Sequence, residues 1–143
     1  MRRLRKDISE PFSTELGPLE ASVLNALWKH GESNVRQVVD SLERHLAYTT
    51  VMTTLDRLYK KGLLDRRKSE RAYHYTARFT QEELEKGRAS AFITPFLTGP
   101  VAFRDLLVSC FVDAVGEQDD SVLEELERKI HEKRQALRGK DGE

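Results

Sequence analysis

A single cysteine, Cys110, among 143 residues excludes an intramolecular disulfide framework and any cysteine-rich zinc site. No apolar run is long enough to span a bilayer, and the basic opening MRRLRKDISEPF is not followed by the apolar stretch of a secretory signal. The expectation is a soluble, cytoplasmic chain with no membrane insertion. Glycine-rich phosphate loops are also missing. The four histidines, His30, His45, His74 and His131, are scattered over different elements with no carboxylate at a convincing metal-ligand spacing, and no Ser, His and Asp set stands out. These absences predict a protein that is not an enzyme and has no metal and no cofactor.

Net charge is lacking too, since 24 Lys and Arg balance 24 Asp and Glu. The balance conceals an asymmetry. Through Arg78 there are 15 basic residues against 10 acidic ones, a surplus of 5; from Phe79 onward there are 9 against 14, a deficit of 5. Such a division suggests a basic module that meets a polyanion, joined to an acidic module with another task.

Residues 1–15 lack periodicity and read as a mobile basic arm. In GPLEASVLNALWKHG, Val23, Leu24, Leu27 and Trp28 form one apolar stripe between Pro18 and Gly31, which predicts a helix over 18–29. SNVRQVVDSLERHL follows, where Asn34 can cap a second helix and Gln37 can reach back, with Val35, Val38, Val39 and Leu42 as its inner face. A third helix, about 48–61, opens with AYTTVMTT. Threonine is a poor helix former, so helix stability does not account for that composition. Val51, Leu55 and Leu58 must face the core. At 100° per residue the opposite face is Thr49, Thr53, Asp56 and Lys60, flanked by Thr50 and Arg57 on one side and Met52 on the other. The hydroxyls are expected to point outward, and Gly62 to end the helix in a left-handed conformation.

LLDRRKSERAYHYTA then predicts a hairpin, with strands near 63–67 and 72–76 and a charged turn from Lys68 to Arg71. Three short helices and a hairpin make a winged helix-turn-helix. A helix that approaches base edges by its first turns benefits from threonines, which donate, accept and offer a methyl to thymine. Arg57, Lys60 and Lys61 further along, and Arg66, Arg67, Lys68 and Arg71 on the hairpin, suit backbone phosphates or a minor groove.

The stretches LNALWKHGESNVRQVVDSL and AYTTVMTTLDRLYKKGLLDRRKSERAYHY, with the helical tail, resemble the penicillinase repressor family over residues 16–138. YTTVMTTLDRLYKKG carries most of the likeness. The resemblance implies a homodimeric repressor that binds dyad operators in double-stranded DNA, with the helix from Tyr48 to Lys61 as its reader. Copper-responsive relatives carry a cysteine cluster near the C-terminus, which this chain lacks. In antibiotic-responsive relatives a membrane sensor protease cuts an Asn-Phe bond. The corresponding place is Cys110-Phe111, allowing one inserted residue in the loop that follows; phenylalanine is kept and asparagine is not.

Beyond the hairpin, Thr80 and Glu83 form a capping box opening a helix that should run to about Thr94, before Pro95. Phe103, Leu106, Leu107, Cys110, Phe111, Ala114 and Val115 form an apolar stripe expected to stop at Gly116. On that stripe a free cysteine reads first as a small hydrophobe. Ser121 with Glu124 would cap a last helix bearing Leu123, Leu126, Ile130 and Leu137. These faces exceed what one chain of this size can cover, so a second subunit is expected on them. The predicted organisation is mainly α with a small β-hairpin: an arm over 1–15, a winged-helix DNA-binding domain over 16–79, and a helical dimerisation region over 80–143. An activator, or a winged helix used for protein contacts, is the alternative.

Overall fold

The computed structural model describes residues 10–142. The chain divides into two compact units, the first running to Ile93 and the second from Thr94.

In the first unit, α1 (Glu10–Ser13) precedes α2 (Pro18–His30), β1 (Ser33–Asn34), α3 (Val35–Ser41) and α4 (Tyr48–Lys60). β2 (Leu64–Ser69) and β3 (Ala72–Ala77) complete an antiparallel sheet in the order β1-β3-β2, and α5 begins at Gln81. The expected fold class is the observed one. The third strand, β1, was not foreseen: it has only two residues, paired Ser33 with Tyr75 and Asn34 with His74, too few to show alternation.

Each helix boundary has a local cause. Glu20 accepts the Gly17 N–H at 3.1 Å, with Pro18 in the first turn of α2, where its missing N–H costs nothing. Asn34 and Gln37 exchange bonds of 2.8 and 2.9 Å, the capping box expected of them. α4 ends in a Schellman motif: Gly62 at φ 82° donates to Tyr59 O at 3.0 Å, and Leu63 to Leu58 O at 3.0 Å. The core joins Val23, Leu24 and Leu27 of α2, Val35 and Val38 of α3, Val51, Leu55 and Leu58 of α4, and Leu63, Leu64, Tyr75 and Leu84. Val39 and Leu42, expected on the inner face of α3, are only half-buried against it. Trp28 lies at the core's edge and donates its indole N–H to Phe79 O at 2.9 Å.

Several expectations are corrected. Residues 1–9 of the predicted mobile arm lie outside the described residues, but Glu10–Ser13 is helical and Phe12 packs on the core. The Phe12 ring is 4.9 Å from Phe79 and fills the notch at Gly87, where a Cβ would lie 2.2 Å from it; a four-residue element gives no readable period. The hairpin turn is two residues, not four. Lys68 belongs to β2, opposite Tyr73, and the turn is Glu70–Arg71, both at positive φ (48° and 70°), the signature of a type I′ turn, usually built with Asn and Gly.

α5 runs through Pro95 to Leu97. The proline removes one ladder bond near the helix end, while Thr98 N–H still reaches Thr94 O at 3.1 Å. In the second unit, α6 (Val101–Gln118) passes Gly116. A Cβ there would lie 3.4 Å from Leu123 Cδ1, so the glycine marks the approach of α7 (Asp120–Asp141) rather than a stop. The cap of α7 is Asp119, not Ser121: its carboxylate accepts the Ser121 N–H at 2.9 Å and is held below the ordinary aspartate range by that bond.

No residue of α6 or α7 is buried within the chain. Leu107, Val115, Leu123 and Leu126 reach partial burial where the two helices meet, while Phe103, Leu106, Cys110, Phe111 and Ile130 are exposed. The stripe expected on α6 is incomplete as a description. Val101, Val108 and Val112 are exposed as well, roughly 180° around the helix from Leu106 and Cys110. α6 is apolar over about two-thirds of its circumference, and Asp105, Ser109 and Asp113, four residues apart, fill the rest.

Candidate nucleic-acid interface

Helices α3 and α4, joined by residues 42–47, form a helix-turn-helix on the α2 scaffold. α4 presents Val51, Leu55 and Leu58, each at 0% exposure, to the core. Tyr48, Thr49, Thr50, Met52, Thr53, Arg57 and Lys60 are exposed, with Asp56 half-exposed. Thr54, which spacing assigns to neither the core stripe nor the outward face, is buried and donates its hydroxyl proton to Thr50 O at 2.8 Å, which satisfies a polar group the core could not. Thr53 likewise donates to Thr49 O at 2.8 Å, leaving its oxygen to accept and its methyl outward. The hydroxyls of Thr49 and Thr50 donate to no described residue.

The start of α4 is uncapped. Its N-cap is Ala47, which provides no side-chain acceptor, and alanine is among the poorest residues there. The N–H groups of Tyr48 and Thr49 therefore lack partners among the described residues, and with the helix dipole they favour an anion. Ala47, just ahead of the threonines, is the residue in the sequence that signals this open end.

The predicted cations separate into two groups. Lys61 is 2.8 Å from Glu20 and donates to Glu15 O at 3.1 Å, tying the end of α4 to the start of α2. Burial pushes the Glu20 carboxyl up, but the hydrogen bonds from Lys61 and the Gly17 N–H outweigh it, and it lies below the ordinary glutamate range. Arg67 forms a bidentate pair with Glu32 at 2.6 and 2.9 Å; that bond holds the Glu32 carboxyl low. Arg66 is 3.3 Å from Asp56, which also pairs with Lys60 at 2.7 Å. Arg57, Lys68 and Arg71, by contrast, are exposed and have no carboxylate at ion-pair distance among the described residues. Glu20 and Glu32 lie 41 and 35 residues from their partners, a separation no local pattern reveals.

Among the described residues no group of His, Cys, Asp and Glu is placed to hold a metal ion, and no helix is long and apolar enough to cross a membrane. A short helix-turn-helix with a three-stranded antiparallel wing defines the winged-helix class of regulators. The penicillinase repressor profile matches residues 16–132, and the chain belongs to that family.

The chain is 46% identical over 77 residues to the transcriptional regulator BlaI of Mycobacterium tuberculosis, across 52% of this chain and 56% of that one. It thus spans about half the length of that curated relative. To the methicillin resistance regulatory protein MecI of Mammaliicoccus sciuri it is 25% identical over 121 residues, 83% of this chain and 95% of that one. It is also similar to the solution structure of the Bacillus licheniformis BlaI monomer in complex with the blaP half-operator, with 29% identity and a TM-score of 0.43 over 50% of this chain and 89% of that one.

Proposed function

We propose that the chain is a sequence-specific, DNA-binding transcriptional repressor acting in the cytoplasm as a homodimer on dyad operators. The observation that carries this reading is the outer face of α4, with its uncapped N-terminus and the exposed Thr49, Thr50 and Thr53. α4 enters the major groove by its first turns, with Tyr48 and Met52 flanking the threonines. Arg57, Lys68 and Arg71 meet phosphates or the minor groove beside it. Lys60, Lys61, Arg66 and Arg67 have a smaller share, because their charge is already engaged by carboxylates. Membership of a repressor family favours repression over activation.

In this reading residues 16–79 read DNA and residues 80–143 hold two copies together. The exposed Phe103, Leu106, Phe111 and Ile130, with Leu107, Cys110, Leu123 and Leu126, support the second role. A membrane sensor protease acting at Cys110-Phe111 would have to unwind α6 first, since that bond lies in mid-helix.

Salt titration of duplex binding tests the interface. Each phosphate contact contributes roughly −0.9 to the slope of log affinity against log salt. Lys68→Ala and Arg71→Ala should each flatten the slope by about that amount, and Arg67→Ala should change it less. Unchanged slopes for the first two would remove the wing from DNA. Absence of any salt-dependent affinity for duplex would favour a protein-interaction module, and activation of a reporter on a native promoter would favour an activator.

A further inference from the structure

Arg66 is the one cation of the hairpin whose surroundings are built on every side. Its guanidinium lies 4.0 Å from the Tyr59 ring centroid and 4.4 Å from that of Tyr73. It pairs with Asp56 at 3.3 Å and lies beside Tyr75, which helps hold its charge. Two of these partners, Asp56 and Tyr59, belong to α4, and the other two to β3. Tyr75 is directly across from Arg66 in the sheet and is 2% exposed. Its phenol is pushed up by burial, an effect Arg66 partly offsets. A planar guanidinium can stack on aromatic faces while its edge donates to a carboxylate; an ammonium cannot do both.

We propose that Arg66 is a positioning residue for operator recognition, a strut that fixes the wing against the reader helix through Tyr59, Tyr73, Tyr75 and Asp56 rather than a contact to phosphate. The inference rests on the DNA-binding reading and assigns this arginine within it. α4 carries the hydroxyls and β2–β3 carries Lys68 and Arg71, so the angle between them decides whether groove and backbone are met together. Base contacts depend on that registry, whereas diffuse phosphate attraction does not.

The test uses the full-length chain, a duplex enriched by it from a random-sequence pool, and a shuffled duplex of the same length. Arg66→Lys keeps the charge and loses the fork; Arg66→Met keeps the stem and loses the charge. Both are expected to reduce preference for the enriched duplex by about tenfold, the size of one lost base contact, with the salt slope on shuffled DNA unchanged. Asp56→Asn removes a negative charge beside the interface, yet should also lower preference. The strut is overturned if Arg66→Lys retains full preference, if Arg66→Met alone flattens the slope by about 0.9, or if Asp56→Asn binds both duplexes more tightly with preference intact. Amide hydrogen exchange across 64–77 without DNA provides a second readout, expected to quicken in all three variants. Should the wild-type chain enrich nothing, the DNA reading fails. Exchange then decides the strut alone, and unchanged protection would sink it.

Discussion

Helices α4 and α6 differ both in how apolar they are and in where their apolar residues lie. In α4, Val51, Leu55 and Leu58 are wholly buried, and apart from Met52 the exposed residues are polar or aromatic. In α6, phenylalanine, leucine and valine spread over all but the strip held by Asp105, Ser109 and Asp113, and none is buried within the chain. A helix whose core lies in its own chain needs one apolar face. A helix with so broad an apolar face needs more cover than one neighbour gives, and Phe103, Leu106, Val108, Phe111 and Val112 stay exposed. The contrast separates the two units: the first closes its core with its own residues, while the second leaves its apolar helices uncovered within the subunit, which fits the second copy proposed above.

The largest effects should come from exchanging these situations. Leu106→Glu should leave the first unit folded but yield a monomer by sedimentation, with dyad affinity lowered by roughly 10²- to 10⁴-fold through loss of the linked second contact. Leu55→Ala should do the reverse, costing about 2 to 5 kcal/mol of stability in the first unit with the dimer kept. A Leu106→Glu chain that stays dimeric at micromolar concentration would break the comparison. A smaller effect tests the edge of the first unit. Gly87→Ala forces a Cβ onto the Phe12 ring and should destabilise by about 1 to 3 kcal/mol. In a Phe12→Ala background the same change should become stabilising by up to about 1 kcal/mol, from helix propensity alone. If the sign does not reverse in thermal melts, Phe12 does not fill that notch in solution.

The smallest effect concerns pH. Glu20 titrates below the ordinary glutamate range in the folded chain, so the folded state binds its proton less readily than the unfolded one. Its contribution is complete above the unfolded value and is lost as pH falls through the folded one. Glu20→Gln should therefore lower the melting temperature by about a few degrees at pH 7, and the difference should shrink as pH falls below the ordinary glutamate range and disappear once Glu20 is protonated in the folded chain. A constant difference across that window would separate Glu20 from the Lys61 clamp.

Those elements that depend on neighbouring residues were legible in the sequence. Asn34 with Gln37, Thr80 with Glu83 (2.9 and 3.1 Å), Gly62, and the Val51, Leu55, Leu58 stripe all stand where spacing put them. What escaped depends on tertiary contact. The Arg67 to Glu32 pair, the Lys61 to Glu20 pair and the docking of Phe12 on Gly87 join distant segments. Arg66 and Arg67 are adjacent and identical in type, yet one faces α4 and the other faces Glu32, because alternate strand residues point to opposite sides. The candidate interface was therefore readable as a face, but not as a division between engaged and available cations. Pro95 and Gly116 misled for the opposite reason, since both are tolerated inside helices where few bonds are lost or another helix comes near.

The turn at Glu70 and Arg71 places two ordinary L-residues in backbone conformations that glycine or asparagine would adopt more easily. Optimising this chain for thermal stability would draw Asn-Gly to those positions, for a gain of about 1 kcal/mol. The same replacement would delete the Arg71 charge from the wing tip. On the DNA-binding reading proposed above, heat resistance and grip on DNA compete at one turn: a variant selected only for its melting temperature would hold duplex less tightly without losing any part of its fold.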